Sequence, residues 1–412
     1  TFDPTILGIT WVDLVFPFFL FAMGAAFPFS IGGKIEKGES TWRIMWECLL
    51  RGMRLTCFAI FYQHIYPWGT SSPPDATAWL LSIGVFLLMF PMFMKIPLKI
   101  PSWMRVLIEL LSYGVAIYLL LSVSYAGDRK FSLSFSNIII LVLANMALFG
   151  SFSYLFTQHN KWWRIGILPF VMAIFLGSST DGSWQKEFMD FSPLPWMYRF
   201  YCLKYLFIVI PGTIAGEYLK EWMSVRTEQD RMQSLENRRT LWVLLISVLI
   251  VVVNLYGLYT RRLVLNLFLT KGLLVFLERL HKLFMVRAYL LMLGLFFEAY
   301  EGGIRKDHST YSYYFVTSGL AFMALLAFIV ICDVYRCEKL MKPLEMAGKN
   351  PMIAYVTPNL VVMPLINLLG LSGYLGMLNG NAWLGLLRGV VVTGLSVMIA
   401  MFFTKLKWFW RT

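Results

Sequence analysis

Residues 8–24 read GITWVDLVFPFFLFAMG, an apolar run that contains a single acidic side chain, Asp13. The apolar residues are continuous and do not alternate with polar ones, which favours a membrane helix over a strand of a membrane barrel. Further runs of about 20 residues, the length that spans a bilayer, recur along the chain. With the first run, they lie at 10–32, 44–66, 77–95, 103–126, 136–157, 162–179, 198–217, 239–259, 284–300, 311–335, 350–370 and 382–404. The sequence therefore predicts an all-α polytopic integral membrane protein with about 11–13 transmembrane helices.

The composition agrees with this class. Of 412 residues, 58% are hydrophobic and only 14% are charged, whereas soluble domains carry roughly 25% charged residues. The net charge of +13 could indicate nucleic acid, but the basic residues stand in short clusters between apolar runs, as in cytoplasmic loops of membrane proteins. We expect a lipid bilayer as partner and no nucleic acid. The five cysteines show no metal-ligand spacing, so no metal is expected.

The stretch 263–280 is shorter and is interrupted by Lys271, so it could be a span, a re-entrant segment or an interfacial helix. If it is a span and the N-terminus lies outside, most Lys and Arg fall in cytoplasmic loops, as the positive-inside bias requires. We expect that orientation, with a cytoplasmic C-terminus, in a bacterial inner (plasma) membrane.

Residues 1–412 are predicted to form a single transmembrane domain. Its most polar stretch, 218–240, is expected to be a cytoplasmic connecting loop with a helical turn or two. The first residue is Thr1 rather than Met, which suggests that a preceding N-terminal helix is missing.

Ionisable groups within membrane spans are costly and are functional candidates by default. Asp13 is the clearest case, and two interpretations stay open. It could form a capping box with Thr10, three residues earlier. It could also hold a substrate amine or orient a catalytic base.

Three segments carry a resemblance to a known family. Residues 8–17, followed by an aromatic span that ends in Met23 and Gly24, resemble the opening signature of the heparan-α-glucosaminide N-acetyltransferase family. Residues 348–356, GKNPMIAYV, look like its Gly-x-Asn-[Ser/Pro] segment, and residues 306–313, KDHSTYSY, look like its Lys-led segment before a late span. The match is patchy around 136–179, and the chain resembles more closely a bacterial branch whose activity we cannot name.

The resemblance implies a transmembrane acyltransferase that moves acetyl from cytoplasmic acetyl-CoA, its co-substrate, to an extracytoplasmic amino sugar or glycan, by N- or O-acetylation. The alternatives are a transporter or flippase for a saccharide or lipid-linked sugar, and an envelope scaffold. The family's catalytic histidine precedes the Asp13 motif, and residues 1–9 contain none. Either it lies in a removed N-terminal stretch, or another group replaces it. His308 is the best replacement, although a solvated loop histidine is the simpler interpretation.

The candidate site residues fall into three groups. The catalytic candidates are Asp13, His308 and Asn350. The substrate-binding candidates are Lys306, Asp307, Glu298, Glu301 and His64. The candidates for binding the phosphates of acetyl-CoA are Arg51, Arg54 and Lys349.

Simpler interpretations accompany several of these residues. Asn350 could cap a helix that starts at Pro351. Glu298 and Glu301 could end a helix in a glycine cap at Gly302. A homodimer is compatible with the sequence.

Overall fold

The computed structural model of the chain describes residues 7–94, 101–127, 129–192, 194–225, 238–280, 285–306 and 309–410. Within these ranges the protein is helical and contains no strand, only two isolated bridges. In chain order the helices are α1 (Trp11–Glu36), α2 (Thr41–Ile65), α3 (Pro67–Thr70), α4 (Ala76–Phe93), α5 (Ser102–Ser122), α6 (Ile138–Thr157), α7 (Lys161–Gly177), α8 (Trp184–Asp190), α9 (Leu206–Val225), α10 (Arg238–Tyr259), α11 (Leu263–Leu280), α12 (Met285–Glu301), α13 (Tyr311–Ile329), α14 (Glu338–Gly348), α15 (Pro351–Thr357), α16 (Met363–Leu368), α17 (Ser372–Met377) and α18 (Ala382–Lys405).

The chain is an all-α polytopic membrane protein, as predicted. In the described ranges nine helical segments are long and apolar enough to cross a bilayer. They are Trp11–Glu36, Ala76–Phe93, Ser102–Ser122, Ile138–Thr157, Phe200–Val225, Thr240–Tyr259, Tyr311–Val334, Pro351–Leu368 and Ala382–Lys405. The other predicted stretches are also helical, but they are shorter or more polar. They correspond to α2, α7, α11 and α12.

The chain divides into two compact units. Unit 1 comprises Thr1–Leu50, Val142–Leu194 and Tyr198–Cys337, and unit 2 comprises Arg51–Leu141, Pro195–Met197 and Glu338–Thr412. The sequence predicted a single domain over 1–412. A run of similar apolar segments does not reveal which of them pack together, because that depends on contacts between residues far apart in sequence.

Unit 1 is built around a close crossing of α1 and α9. A Cβ atom added to Gly212 would lie 2.3 Å from the Phe21 carbonyl oxygen, and one on Gly216 would lie 2.2 Å from the Ala25 oxygen. On the other helix, a Cβ on Gly24 would lie 2.3 Å from the Val209 oxygen. Small residues four apart let membrane helices approach to backbone contact, which supplies packing where lipid offers no hydrophobic driving force. These glycines therefore fix the position of α9.

A second close contact joins α12 to α13. A Cβ on Gly294 would lie 2.6 Å from the Val316 backbone nitrogen, and one on Gly319 would lie 2.8 Å from the Leu291 Cβ. The Ser318 hydroxyl donates to the Phe207 carbonyl oxygen at 3.2 Å, so α13 also contacts α9. The largely buried α13 is thus the central helix of this packing.

A closed polar network joins α10 to α11. The Asn254 amide donates to the Thr270 hydroxyl at 3.0 Å and to the Ile250 carbonyl oxygen at 2.9 Å. The Thr270 hydroxyl donates to the Asn266 Oδ1 at 3.3 Å, and the Asn266 Nδ2 donates to the Asn254 Oδ1 at 3.3 Å. The three side chains are buried. Such hydrogen bonds hold membrane helices together.

Unit 2 has an aromatic core around Trp410. The indole ring lies 5.2 Å from Phe90, 5.7 Å from Phe86 and 5.9 Å from Phe58, as measured between ring centroids. An isolated backbone bridge pairs Trp410 with Met94 after the end of α4. The segment that follows α18 is therefore docked inside this unit.

Candidate functional site

Asp13 lies in the first turn of α1, and its carboxylate bonds to the residue that precedes the helix. The Asp13 Oδ2 accepts hydrogen bonds from the Thr10 backbone nitrogen and from the Thr10 hydroxyl, both at 2.9 Å. The predicted capping box is present, since the Thr10 side chain lies against the Asp13 backbone nitrogen and the Asp13 carboxylate reaches back to the Thr10 nitrogen. The second oxygen, Oδ1, is left for another partner.

That partner is Lys306. The Lys306 Nζ lies 3.4 Å from the Asp13 Oδ1, and the Asp13 side chain is 20% exposed. The Tyr313 hydroxyl donates to the Asp13 carbonyl oxygen at 2.9 Å. Asp13 therefore meets Lys306 and Tyr313, which lie far from it in sequence, within unit 1. We call this part of unit 1, with the start of α1, the end of α12 and the start of α13, the Asp13 end.

Glu301 is committed to helix capping. Its two carboxylate oxygens accept from the backbone nitrogens of Tyr311 at 2.8 Å and Ser312 at 3.0 Å, which are the first residues of α13. A carboxylate at a helix N-terminus satisfies otherwise unpaired donors. Its own helix α12 ends there, and Gly302 follows with φ +70°, as the predicted glycine cap requires. The structure thus gives Glu301 a structural role.

Glu298 lies one turn earlier on α12, and it is buried. Its Oε2 has no hydrogen-bond partner among the described residues. Arg261, the nearby cation, donates to the Gly302 carbonyl oxygen at 2.9 Å. Of the two predicted carboxylates, only Glu298 keeps an oxygen free to bind a ligand.

Sequence reasoning missed Lys204, which lies in a short 3-10 turn (Phe200–Tyr205) before α9. The side chain is 5% exposed, and its Nζ lies 3.4 Å from the Tyr201 ring centroid and 5.6 Å from the Tyr205 ring centroid. The signal was present, since Lys204 is a basic residue inside the predicted span 198–217. The Tyr205 ring contacts Phe16 at 5.7 Å and Tyr314 at 5.7 Å. Lys204 therefore belongs to the Asp13 end.

A second buried cation, Arg164, lies elsewhere in unit 1. Arg164 lies in α7, inside the predicted span 162–179, and its side chain is fully buried. Its guanidinium donates to the Glu217 carboxylate at 2.8 Å and to the Thr213 hydroxyl at 2.9 Å. It also donates to the Thr157 hydroxyl at 3.0 Å and carbonyl oxygen at 3.2 Å, and it lies 4.5 Å from the Tyr154 ring centroid. Arg164 thus joins α6, α7 and α9.

His64, at the end of α2 in unit 2, is buried rather than open to a substrate. Its Nδ1 lies 2.8 Å from the Ile60 carbonyl oxygen, and its Nε2 lies 3.4 Å from the Ser132 backbone nitrogen. These contacts fit one neutral tautomer that donates through Nδ1 and accepts through Nε2. The rings of Phe131 and Phe135 enclose it at 5.0 and 5.2 Å. Both nitrogens are therefore already engaged.

Asn350 precedes α15 in unit 2, and it makes no side-chain cap. Its Nδ2 donates to the Trp408 carbonyl oxygen at 2.7 Å, and its Oδ1 accepts from the Trp410 backbone nitrogen at 3.4 Å. The side chain is fully buried. Its partners are therefore the backbone after α18 rather than the helix that it was expected to cap.

The candidates for binding acetyl-CoA are exposed residues of unit 2. Arg51 and Arg54 lie three residues apart on α2, a spacing that puts them on one face. Lys349 pairs with Glu345 at 2.5 Å, and this pairing lowers the pKa of the Glu345 carboxyl. Asp307 and His308 lie outside the described residues. In the described ranges, no cluster of His, Cys, Asp and Glu could hold a metal ion.

Comparison with known proteins gives one match. The sequence profile of a family described as "Domain of unknown function (DUF5009)" matches residues 1–219, more than half of the 412 residues. The matched part contains Asp13, Arg164, Lys204 and Glu217. No curated protein and no solved structure matches the chain. The chain therefore belongs to the DUF5009 family.

Proposed function

We propose that this protein is a membrane acyltransferase that moves an acetyl group from cytoplasmic acetyl-CoA to an extracytoplasmic amino sugar or glycan. The supporting observation is the approach of Lys306 to Asp13 at 3.4 Å. Each residue lies in a segment that resembles the acetyltransferase family, and the two residues are about 290 positions apart in the sequence. The proposal includes a bacterial inner membrane with the N-terminus of this chain outside.

In this proposal the Asp13 and Lys306 pair binds the acceptor. The carboxylate anchors the sugar amine or hydroxyl, and the ammonium orients its neighbouring oxygens. The acceptor nitrogen or oxygen forms a bond to the acetyl carbonyl carbon, and the bond from that carbon to the CoA sulfur breaks. The proton of the acceptor passes to a base, and the CoA thiolate leaves and takes up a proton.

The other candidate residues are given roles from their charge and their place in the chain. His308, two residues after Lys306, is the candidate base. Arg51, Arg54 and Lys349 are the candidate ligands of the CoA phosphates, since fixed cations attract a multiply charged ligand. Glu298 is a candidate for binding the acceptor amine through its free Oε2. Asn350 and Glu301 act as structural residues.

The test uses the purified protein in detergent with radiolabelled acetyl-CoA and glucosamine or a short amino-sugar oligosaccharide. We expect labelled acceptor to accumulate. Asp13→Asn keeps an oxygen that can accept from Thr10 but removes the charge, and Lys306→Met removes the ammonium. Each should lower the rate by about 10- to 100-fold, the effect of one charged hydrogen bond.

The chain offers a matched control in the Asp181 and Lys186 pair. This ion pair lies beside α8 in unit 1, and the Asp181 side chain is 92% exposed. The lysine lowers the pKa of the Asp181 carboxyl, as expected for paired charges. Asp181→Asn and Lys186→Met should leave the rate unchanged.

Absence of transfer to several acceptors, together with no CoA binding, would rule out the acyltransferase. A chain that binds no CoA but moves a saccharide across a proteoliposome membrane would be a transporter. Equal rates for wild type and Asp13→Asn would return Asp13 to a purely capping role.

A further inference from the structure

Lys204 is a buried cation with no acidic partner among the described residues. In the described part of the chain, Arg164 and Lys204 are the buried arginine and lysine side chains. Arg164 pairs with Glu217, whereas no described carboxylate forms an ion pair with Lys204. An ammonium carries three donors and a full charge, and burial without a counter-charge is costly. The two tyrosine rings beside its Nζ offer cation–π attraction but accept no strong hydrogen bond.

Tyrosine rings lie beside Lys204, and one of them is open at the surface of the protein. Tyr201 is 48% exposed, so a ligand can reach the ring that Lys204 contacts. Tyr205 is packed against Phe16, which lies one turn after Asp13 on α1. The Tyr205 ring also lies 5.7 Å from the Tyr314 ring, whose hydroxyl lies 2.6 Å from the Ser309 hydroxyl. Aromatic rings with hydroxyl groups suit a ligand that has an apolar face and polar edges.

We propose that Lys204 binds an oxyanion, a carboxylate or a phosphate, of a ligand that lies against Tyr201 at the Asp13 end of unit 1. This site goes beyond acetyl transfer and exists whether or not the protein is an acyltransferase. The oxyanion supplies the negative charge and the hydrogen-bond acceptor for the Lys204 ammonium, as the Glu217 carboxylate does for the Arg164 guanidinium. Two sources share this chemistry, an acidic or phosphorylated sugar and the headgroup of an anionic lipid.

The experiment measures binding rather than turnover. The protein is placed in nanodiscs of phosphatidylcholine and titrated with glucuronate, glucose 1-phosphate and neutral glucose, with the thermal midpoint and Kd as readouts. Native mass spectrometry of the protein with phosphatidylglycerol or phosphatidylcholine tests the lipid source. We expect at least one anionic probe to bind more tightly than its neutral counterpart.

Three variants assign the effect to Lys204. Lys204→Met should weaken binding of the preferred anion by about 10- to 100-fold, the effect of a hydrogen bond to a charged group. Lys204→Arg should retain part of the affinity because it keeps the charge. Lys186→Met, which removes an exposed lysine of the same unit, should bind as wild type does.

Preference for the soluble anions identifies a sugar ligand, and preference for phosphatidylglycerol identifies a lipid. The proposal is overturned if no anionic probe binds more tightly than its neutral counterpart. It is equally overturned if Lys204→Met binds every anion as wild type does, which would make Lys204 a side chain that only reaches toward the membrane interface.

Discussion

Arg164 and Lys204 are both buried cations of unit 1, but their surroundings differ. Arg164 has a carboxylate, two threonine hydroxyls, a carbonyl oxygen and a tyrosine ring around its guanidinium. Lys204 has two tyrosine rings. A buried charge with a complete set of partners stabilises the fold, and a buried charge without one indicates a ligand. The comparison separates a structural cation from a binding cation within the same unit.

The strongest test of the comparison is Arg164→Met. The variant leaves the Glu217 carboxylate and both threonine hydroxyls without their donor, and breaking a buried ion pair in this way costs about 3–5 kcal/mol of unfolding free energy. Unfolding in mixed micelles with increasing SDS, followed by tryptophan fluorescence, measures the loss. Lys161→Met is the control from the same helix, because within the described ranges the Lys161 Nζ has the Tyr218 side chain as its partner and no carboxylate. Equal losses in both variants would refute the structural role of Arg164.

Gly212→Ala tests the position of α9. This helix follows Lys204 and carries Thr213 and Glu217, two partners of Arg164. The new methyl group would lie 2.3 Å from the Phe21 carbonyl oxygen, and overpacking of this kind costs about 1–3 kcal/mol. The same SDS titration measures this loss of unfolding free energy. Gly166→Ala on α7 is the control, since a Cβ there meets no atom within 4 Å. A neutral Gly212→Ala would mean that the α1 and α9 contact does not hold the two helices together.

Asn254→Leu extends the comparison to the uncharged network of Asn254, Asn266 and Thr270, in which each side chain has hydrogen-bond partners. Removal of the amide leaves Thr270 and Asn266 with one partner fewer, and hydrogen bonds between membrane helices contribute about 1 kcal/mol. The expected loss is therefore smaller than for Arg164. Ser247→Ala on the same helix should change little, because the Ser247 hydroxyl donates to its own helix at the Val243 oxygen. A loss of unfolding free energy as large as that of Arg164→Met would contradict the expectation that this uncharged network contributes less than the buried ion pair.

The smallest expected effect on stability is that of Lys204→Met. In neutral detergent without added anions, the variant loses only cation–π contacts and removes a buried unpaired charge, so the unfolding free energy should stay the same or rise by up to about 1 kcal/mol. The measurement is the titration used for Arg164→Met. A loss of several kcal/mol would place Lys204 in the structural class with Arg164.

Local features of the site could be predicted from the sequence. The bond from Asp13 to Thr10 joins residues three apart at a helix start, and the cap at Gly302 follows from the glycine pair after Glu301. The partners of Glu301 could not be predicted, because its carboxylate reaches the backbone of residues 311 and 312 across a chain reversal. The burial of Asn350 depends in the same way on residues 408–410.

The sequence by itself determined the class of the protein and the approximate positions of its long apolar helices, although α9 continues to Val225, into the stretch predicted as a loop. A bilayer forces each backbone donor and acceptor to pair within its own segment, so a continuous apolar run of sufficient length already specifies a helix. Only the tertiary structure decided which charges are paired. Arg164 and Lys204 are alike in the sequence, each a basic residue near the start of an apolar run, and helix packing brings Glu217 to one of them and aromatic rings to the other.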